Sequence, residues 1–408
     1  MSPINRINKI PLLLLTGLFF LTSCNKDLPK AIPIVPPANG VTPTLATLLD
    51  DPSFSILKAA VVKAGLLDEL ADPTLRFTVF APDNNALIAS GISMDAVNAL
   101  PAASIIGLIS YHIIPQVVTT ATIPTSFPNL QYPSILNPAP AVSPLLRLTT
   151  FPSKRGNFAW VNNIPIIAAE VTAVNGVLHK VARAVAPPTQ FLWQRIVADP
   201  NLGYLEAAII RADSGAPAAT SLVGYLQNIG ANFTVFAPTD AAFKATLTGA
   251  IYVGLLPLVT QQLMGAGYTA AQAAAAAPGI ALPQATALAS TPDVFKNPAL
   301  FSALKAETIK GIVVYHVLGS RAFSVNLPTA ATNVLTLLNT GPGLANHPGV
   351  SVQATFGPAG VTAATVKGLG NQTAANIQIN PTPAPGGTSD QHYLNGVLHV
   401  INQVLLPQ

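Results

Sequence analysis

The side chains that could do chemistry in this chain are few and scattered. There is one cysteine, Cys24, and the six histidines stand at positions 112, 179, 316, 347, 392 and 399. His392 and His399 lie near each other in sequence, but the cluster of Asp or Glu that would complete a metal site does not accompany them. The sequence also lacks a nucleophile elbow, a phosphate-binding Gly-rich loop and a His-Glu-x-x-His motif. We therefore expect no catalytic residue, no cofactor and no metal, and a protein that is not an enzyme.

The single cysteine ends an N-terminal leader. Arg6 and Lys9 precede an apolar run over residues 10–21, which is too short to span a bilayer, since spanning takes about 20 residues. The run is followed by Thr22-Ser23-Cys24, and this ending resembles a bacterial lipobox, in which the cysteine is acylated and becomes the mature N-terminus. The resemblance implies that residues 1–23 are a lipoprotein signal peptide and that lipid on Cys24 holds the protein on the membrane. An ordinary signal peptide with an incidental cysteine is the alternative.

Residues 24–43 predict a proline-rich linker between this anchor and the folded chain. Proline favours extended, semi-rigid backbone, and it occurs here at positions 29, 33, 36, 37 and 43. Lys26-Asp27 resembles in part the surface-export signal of Bacteroidetes lipoproteins, although the start of a solvated linker accounts for the same residues equally well. We expect a secreted, lipid-anchored protein of the outer membrane that faces the cell exterior.

The composition excludes two classes of protein. Only 9% of the 408 residues are charged, against about 25% in typical soluble domains, and the net charge is +4. Nucleic-acid binding through a basic patch is excluded, because neutralising phosphates requires clustered Lys and Arg. A disordered chain is excluded because 50% of the residues are hydrophobic. The outer surface of the folded protein must therefore be mostly neutral and polar.

An internal repeat organises the chain after the linker. Four blocks occur twice in the same order: Asp51-Pro52 and Asp199-Pro200, Phe77-Thr-Val-Phe-Ala-Pro82 and Phe233-Thr-Val-Phe-Ala-Pro238, Tyr111-His112 and Tyr315-His316, and Asn175-Gly-Val-Leu-His179 and Asn395-Gly-Val-Leu-His399. Self-similarity over whole blocks indicates a tandem duplication. The two copies are expected at 44–188 and 189–408.

Each copy predicts helices followed by a β-meander. Asp51 and Asp199 are helix N-cap candidates, each followed by a proline that suits the first helical position. The Phe-Thr-Val-Phe-Ala-Pro block predicts a strand that leads into a capped helix, and the Tyr-His block predicts a buried helix that passes into a strand. Asn175-Gly176 and Asn395-Gly396 predict hairpin turns, since Asn-Gly between apolar runs favours them. The predicted class is α+β, with two tandem domains.

These blocks resemble the motifs of the fasciclin domain (FAS1) family, twice over. The resemblance implies two domains with wedge-shaped sheets, which mediate adhesion at a cell surface or in a matrix. In some animal members the Tyr-His region is implicated in integrin contact, so Tyr111, His112, Tyr315 and His316 are binding candidates. The apolar neighbours of His112 favour instead a hydrogen-bonded residue of the core. Phe80, Phe236 and Trp160 are also expected in the core. His179 and His399 are expected to be structural histidines as well.

The second copy carries insertions near 250–300 and 339–390. The first is rich in alanine and lies in the most apolar region of the chain, residues 251–290, where interrupting prolines argue against a membrane span. The second is rich in Gly, Pro and Asn. Both are expected to be surface loops, because long insertions add little closure entropy. The alternative is that they hold what is particular to this protein.

The function expected from these observations is that of a lipid-anchored, non-enzymatic adhesion or binding module for a polysaccharide or protein partner, with no nucleic-acid partner. A neutral polar surface suits wet contacts of weak affinity, which two linked domains would strengthen. Two alternatives remain open: an accessory envelope lipoprotein, such as part of a nutrient-uptake complex, and a carbohydrate-active enzyme that uses scattered carboxylates.

Overall fold

A computed structural model describes residues 42–168, 170–357, 360–380 and 387–408 of the chain. The signal peptide, Cys24 and the linker up to residue 41 lie outside the described residues. In the described part, each copy of the repeat folds into short helices and a mixed sheet. The predicted α+β class with two tandem domains is confirmed.

The first copy contains six helices among its described residues: α1 (Leu45–Leu48), α2 (Ser55–Ala64), α3 (Leu67–Ala71), α4 (Asn84–Ala89), α5 (Met94–Ala99) and α6 (Ala102–Tyr111). Its described strands are β1 (Phe77–Pro82), β2 (Ile113–Ile114), β3 (Tyr132–Pro133), β4 (Thr149–Thr150), β5 (Pro152–Arg155), β6 (Phe158–Val161), β7 (Ile164–Ile166), β8 (Val171–Ala173) and β9 (Gly176–Val181).

The second copy repeats this order with longer elements. Its described helices are α7 (Leu192–Ala198), α8 (Gly203–Ala212), α9 (Leu222–Tyr225), α10 (Asp240–Gly265), α11 (Ala270–Leu288) and α12 (Ala306–Tyr315). Its described strands are β10 (Phe233–Pro238), β11 (Val317–Leu318), β12 (Thr332–Val334), β13 (Val350–Gly357), β14 (Gly360–Lys367), β15 (Ala375–Ile377), β16 (Gln391–Tyr393) and β17 (Gly396–Ile401).

The repeated motifs meet at the middle of each sheet. The strand order is β2-β1-β9-β7-β6-β5 in the first sheet and β11-β10-β17-β15-β14-β13-β12 in the second, with β8 and β16 paired to β9 and β17. β1 runs parallel to β9 and places Phe80 beside His179, and β10 runs parallel to β17 and places Phe236 beside His399. The Phe-Thr-Val-Phe-Ala-Pro and Asn-Gly-Val-Leu-His blocks of each copy thus form neighbouring strands.

Local sequence signals explain where the elements begin and end. The Asp51 carboxylate accepts a hydrogen bond from the Ser53 amide and starts a short 3-10 helix, Pro52–Phe54, that leads into α2. Asp83 caps α4 and Thr239 caps α10, each directly after a strand that ends in proline. α6 ends at Tyr111 and β2 begins at Ile113, as the Tyr-His block predicts.

The expectation that both insertions are surface loops is wrong. The first forms the helical hairpin of α10 and α11, and the second contributes the β13–β14 hairpin to the sheet. Pro257, Pro278 and Pro283 lie inside the two helices instead of ending them. Ala and Leu dominate these segments and have high helix propensity, and Thr269 and Gln272 form a capping box at the start of α11. The high helix propensity of these segments and the packing of the two helices together outweigh the backbone hydrogen bonds that are lost at the prolines.

Candidate functional site

The Tyr-His pair of each copy lies inside the domain. Tyr111, His112, Tyr315 and His316 are all buried, with at most 2% of any of the four exposed. The binding candidates therefore present no surface to a macromolecular partner in this structure. The prediction of a hydrogen-bonded core role for the two histidines is confirmed by their contacts.

Each of these histidines joins the end of a helix to the last segment of its domain. His112 Nδ1 lies 2.8 Å from the Leu108 carbonyl, and its Nε2 accepts a hydrogen bond from the Val185 amide at 2.8 Å. His316 makes the same two contacts, with the Ile312 carbonyl and with the Leu405 amide, both at 2.8 Å. Only the neutral ring with its proton on Nδ1 satisfies both contacts. Burial accordingly lowers the pKa of His112 and of His316 to about 4.

The histidines of the last motif are structural as well. The His179 ring stacks on Phe80 and the His399 ring on Phe236, with ring centroids 5.8 and 5.9 Å apart. His179 Nε2 lies 2.7 Å from the Val118 carbonyl, and burial lowers the pKa of His179. Phe80, Phe236 and Trp160 are buried, as expected. The Asn-Gly-Val-Leu-His motif therefore stabilises the fold, because its histidine contacts the phenylalanine of the neighbouring central strand.

The two copies pack against each other and share a buried cluster of side chains. All described residues belong to one compact unit. Phe151 and Trp160 of the first copy pack with side chains of the second; the cluster is completed by Phe323, Val325 and Val397. Around it, Arg155 donates to the Leu327 carbonyl and Asn326 to the Ser126 carbonyl. We call this contact between the copies the seam.

A line of polar groups crosses the seam. The Arg321 guanidinium donates to His392 Nε2, and His392 Nδ1 lies 3.4 Å from the Tyr111 hydroxyl, which donates to the Thr149 carbonyl. Arg321 is 5% exposed, and burial lowers its pKa to about 10. Burial, and next the charge of Arg321, hold the pKa of His392 well below its usual range. Neutral His392 therefore joins the two copies as a hydrogen-bond bridge, which protonation would break.

Comparing the two copies could have revealed this bridge. Arg321 stands where the first copy has Val117, and His392 stands where it has Thr172. A charged and a titratable side chain that appear in one copy only are not needed for the fold that both copies share. This comparison is the sequence signal that motif reading alone misses.

A groove on the second copy is lined by one face of α8, and we call it the α8 groove. One wall is a single face of α8, with residues at the helical spacing i, i+3, i+4, i+7, i+8 and i+11: Gly203, Glu206, Ala207, Ile210, Arg211 and Ser214. The other wall is the segment 292–301, which belongs to the first insertion. The groove is open to solvent and has a volume of about 670 Å³.

Aromatic surface and balanced charges line the α8 groove. The Arg211 guanidinium lies 3.8 Å above the Phe301 ring, and its Nε donates to the Leu304 carbonyl at 3.0 Å. Lys296 pairs with Asp293 at 3.0 Å, and Glu206 adds a second carboxylate. Two cations and two anions make the groove neutral overall. It offers donors and acceptors beside an apolar platform, which is the lining typical of small-ligand sites.

The first copy uses the equivalent helix face differently. Lys63 of α2 stands at the repeat position of Arg211, and its ammonium donates to the carbonyls of Val97, Asn98 and Leu100 at 2.7–2.8 Å. α5 thereby covers that face of α2. In the second copy Arg211 keeps one such bond, to the Leu304 carbonyl, and its guanidinium lies over the Phe301 ring. Among the described residues, no group of three His, Cys, Asp or Glu that could hold a metal ion is found.

A family model, two relatives and a solved structure are similar to this chain. The Fasciclin domain model matches residues 52–187. Protein sll1483 of Synechocystis sp. is 31% identical over 138 residues, which cover 33% of this chain and 68% of that protein. Transforming growth factor-beta-induced protein ig-h3 of Sus scrofa is 25% identical over 158 residues, 36% of this chain but only 20% of that protein. Among solved structures, a FAS1 domain pair from the insect cell adhesion molecule Fasciclin I aligns over 88% of this chain and 98% of its own, at 16% identity and a TM-score of 0.33.

Proposed function

Since this chain belongs to the fasciclin domain family, whose domains are typically adhesion modules without enzymatic activity, we propose that it is a lipid-anchored binding module of the cell envelope. In this proposal lipid on Cys24 holds the protein at the outer membrane, and residues 24–43 extend the two domains outward. The α8 groove takes a segment of a neutral polysaccharide. The groove is the single observation on which the choice of ligand rests.

The chemistry of the α8 groove suits sugar residues. A sugar ring has an apolar face of C–H groups, which can pack on the partly exposed Phe301 and on Ile210. Its hydroxyls both donate and accept, so they need carboxylates such as Glu206 and cations such as Arg211 on the same surface. The balance of charges in the groove favours an uncharged chain over an acidic one. A volume of about 670 Å³ falls within the range of small-ligand sites.

The α8 groove lies on the second copy, so avidity would come from several molecules and not from the two domains of one molecule. The second wall of the groove is built by the insertion of the second copy, and α5 covers the equivalent face in the first copy. One molecule therefore offers this groove once. Many copies anchored on one cell would raise the affinity for a long polysaccharide, as linked sites do.

Binding of the purified full chain to a panel of neutral and acidic polysaccharides tests the ligand. Phe301→Ala and Glu206→Gln should each weaken binding at least fivefold, because they remove the platform and one acceptor. Phe158→Ala is the matched control, since Phe158 is a partly exposed phenylalanine of the first copy. The affinity should change by about twofold or less between 50 and 500 mM salt. Equal binding by all three variants would overturn the assignment to the α8 groove.

Exposure of the protein on intact cells tests the location. A non-permeant protease should remove the protein from intact cells, and labelled fatty acid should be incorporated into the parent protein and not into a Cys24→Ala variant. Protection from protease until the envelope is lysed would overturn the adhesive role and favour an accessory lipoprotein inside the envelope.

A further inference from the structure

The helical hairpin of α10 and α11 leaves the domain core and continues beyond it. The first part of α10 is anchored, because Phe243, Leu247 and Ile251 belong to the main core cluster of the second copy together with Ala285 of α11. Farther along, Tyr252 and Leu255 still contact that core, and beyond them the two helices pack on each other. Val259, Ala277 and Ala281 form a separate small core there. We call this outer part, residues 252–282, the hairpin tip.

The outer surface of the hairpin tip is apolar. Val253 is 70% exposed and Leu258 is 60% exposed; the other large apolar side chains exposed here are Met264, Tyr268, Ile280 and Leu282. Residues 245–292 contain no Asp, Glu, Lys, Arg or His. A surface helix of a soluble protein normally carries charged residues on the face opposite its core. The hairpin tip is apolar both where its helices meet and where they face outward.

The hairpin tip has the dimensions of one bilayer leaflet. α10 is long and apolar enough to cross a membrane, with a mean hydropathy of 1.5 over its best window, of which 28% is buried. Its first part is held in the domain core, however, and Tyr252 and Leu255 still pack against that core, which leaves residues 256–265 to reach outward. At about 1.5 Å per residue this stretch is about 15 Å long. Half of a hydrocarbon core of about 30 Å is about 15 Å, so the tip can enter one leaflet without crossing.

Several polar groups of the hairpin tip are satisfied within it, as an apolar solvent requires, while the uncharged Gln261 and Gln262 lie exposed on its surface. The Thr260 hydroxyl donates to the Leu256 carbonyl at 2.7 Å, and the Thr286 hydroxyl at the base of α11 donates to Leu282 at 2.9 Å. At the turn, Gln272 Oε1 accepts hydrogen bonds from the amide and the hydroxyl of Thr269, both at 3.0 Å. The turn between the helices therefore carries little unmet hydrogen-bonding demand.

We propose that the hairpin tip inserts into the hydrocarbon of one leaflet of a lipid bilayer. The absence of charge over residues 245–292, together with the high hydropathy of α10, favours lipid as the occupant. The reach of the tip matches a leaflet, and its helical backbone is hydrogen-bonded internally except at Pro257 and Pro278, which donate no hydrogen bond. This insertion is independent of lipid on Cys24, so a chain without the acyl group should still place the hairpin tip in lipid.

Fluorescence of the hairpin turn tests the insertion. The full chain carrying Cys24→Ala and Tyr268→Trp is mixed with vesicles of phosphatidylethanolamine and phosphatidylglycerol, with and without brominated acyl chains. Brominated lipid should quench the added tryptophan by at least half and leave the parent with Tyr268 nearly unchanged, since native Trp160 is buried and native Trp193 packs against the core of the second copy. Because quenching reports the hairpin itself, the apolar leader present in every variant does not affect the comparison.

A charge in the hairpin tip should abolish the signal. Leu258→Asp, added to the tryptophan variant, should lower the fraction inserted at least tenfold, because a carboxylate is strongly disfavoured in hydrocarbon. Val142→Asp is the matched control, since Val142 is an apolar residue of the first copy that is 80% exposed. Absence of quenching would overturn the proposal. So would a dimer in lipid-free solution that Leu258→Asp dissociates, since it would assign the apolar face to a second copy of the chain.

Discussion

The buried bridges of His112 and His316 predict that acid destabilises both domains well above the pH at which carboxylates titrate. The perturbation is a change from pH 7 to pH 5. In the folded chain the pKa of each ring is lowered from its ordinary value of 6.5 to about 4, because burial disfavours the charged form. The unfolded chain therefore binds more protons in this window, and the free energy of unfolding falls as the pH falls.

The size of the effect follows from the pKa shift. A lowering of about 2.5 units corresponds to about 3 kcal/mol per histidine once the pH is below both pKa values, at about 1.4 kcal/mol per unit. Between pH 7 and pH 5 the unfolded ring becomes almost fully protonated while the folded ring stays mostly neutral. Each domain should lose about 2 kcal/mol over that interval from this histidine alone.

Guanidinium unfolding at pH 7 and pH 5 measures the loss, and each copy contains its own tryptophan as a probe, Trp160 and Trp193. His112→Gln keeps a donor and an acceptor but does not titrate. It should lower stability at pH 7 by about 1–3 kcal/mol, because the amide fits the two partners less well. It should also remove about 2 kcal/mol of the pH dependence reported by Trp160.

Tyr111→Phe is the control for loss of a buried hydrogen bond without a change in titration. Tyr111 is fully buried and its hydroxyl donates to the Thr149 carbonyl at 2.8 Å, and burial raises its pKa above 10, far from the interval tested. This variant should be less stable at both pH values and keep the full difference between them. If His112→Gln kept the same pH dependence as the parent chain, the neutral-bridge reasoning would be refuted.

Three further predictions concern the backbone and the seam, each measured by guanidinium unfolding. Asn175→Ala should lower the free energy of unfolding by about 3 kcal/mol, because it leaves the Leu45 amide and two carbonyls without their buried partner. Asn395→Ala should lower it less, since one of the two Asn395 hydrogen bonds is 3.4 Å long, and equal losses would contradict this. Gly176→Ala should cost more than about 3 kcal/mol because its Cβ would lie 1.9 Å from the Phe77 carbonyl oxygen, while Gly156→Ala, with open space at φ +56°, should cost about 1–2 kcal/mol. Arg321→Met should separate the unfolding transitions reported by the two tryptophans, and coincident transitions would contradict a role in joining the copies.

The fold that both copies share was predictable, because the residues that the fold requires are the ones that recur in both copies. The Phe-Thr-Val-Phe-Ala-Pro and Asn-Gly-Val-Leu-His blocks recur since they form the two adjacent central strands, and the Tyr-His block recurs since its histidine bridges a helix end to the last segment. Asn175 exceeds its predicted role as a turn former, because its buried amide also holds the first helix to the sheet. That contact links residues 130 positions apart and has no local signal.

The parts that sequence reading missed depend on long-range packing. Prolines in the first insertion favoured a broken segment, but Pro257 lies within α10, where the packing of α11 holds the helix together. The α8 groove needs α8 and residues 292–301, which are far apart in sequence. The seam joins Tyr111 to His392 across most of the chain. None of these contacts leaves a periodic pattern that a reader of the sequence can count.

Duplication also separates residues that fold the protein from residues that can give it a function. Variants at Tyr111 or His316 should lose binding because the domain loosens, so loss of adhesion in such a variant does not identify a contact residue. The features that occur in one copy only are the better candidates, and the second copy holds all three described here: the Arg321–His392 bridge, the wall of the α8 groove and the hairpin tip. A variant at Phe301 or Leu258 changes an exposed side chain, so it should alter one kind of contact while the unfolding transition stays where it is. Function should therefore be sought where the two copies differ.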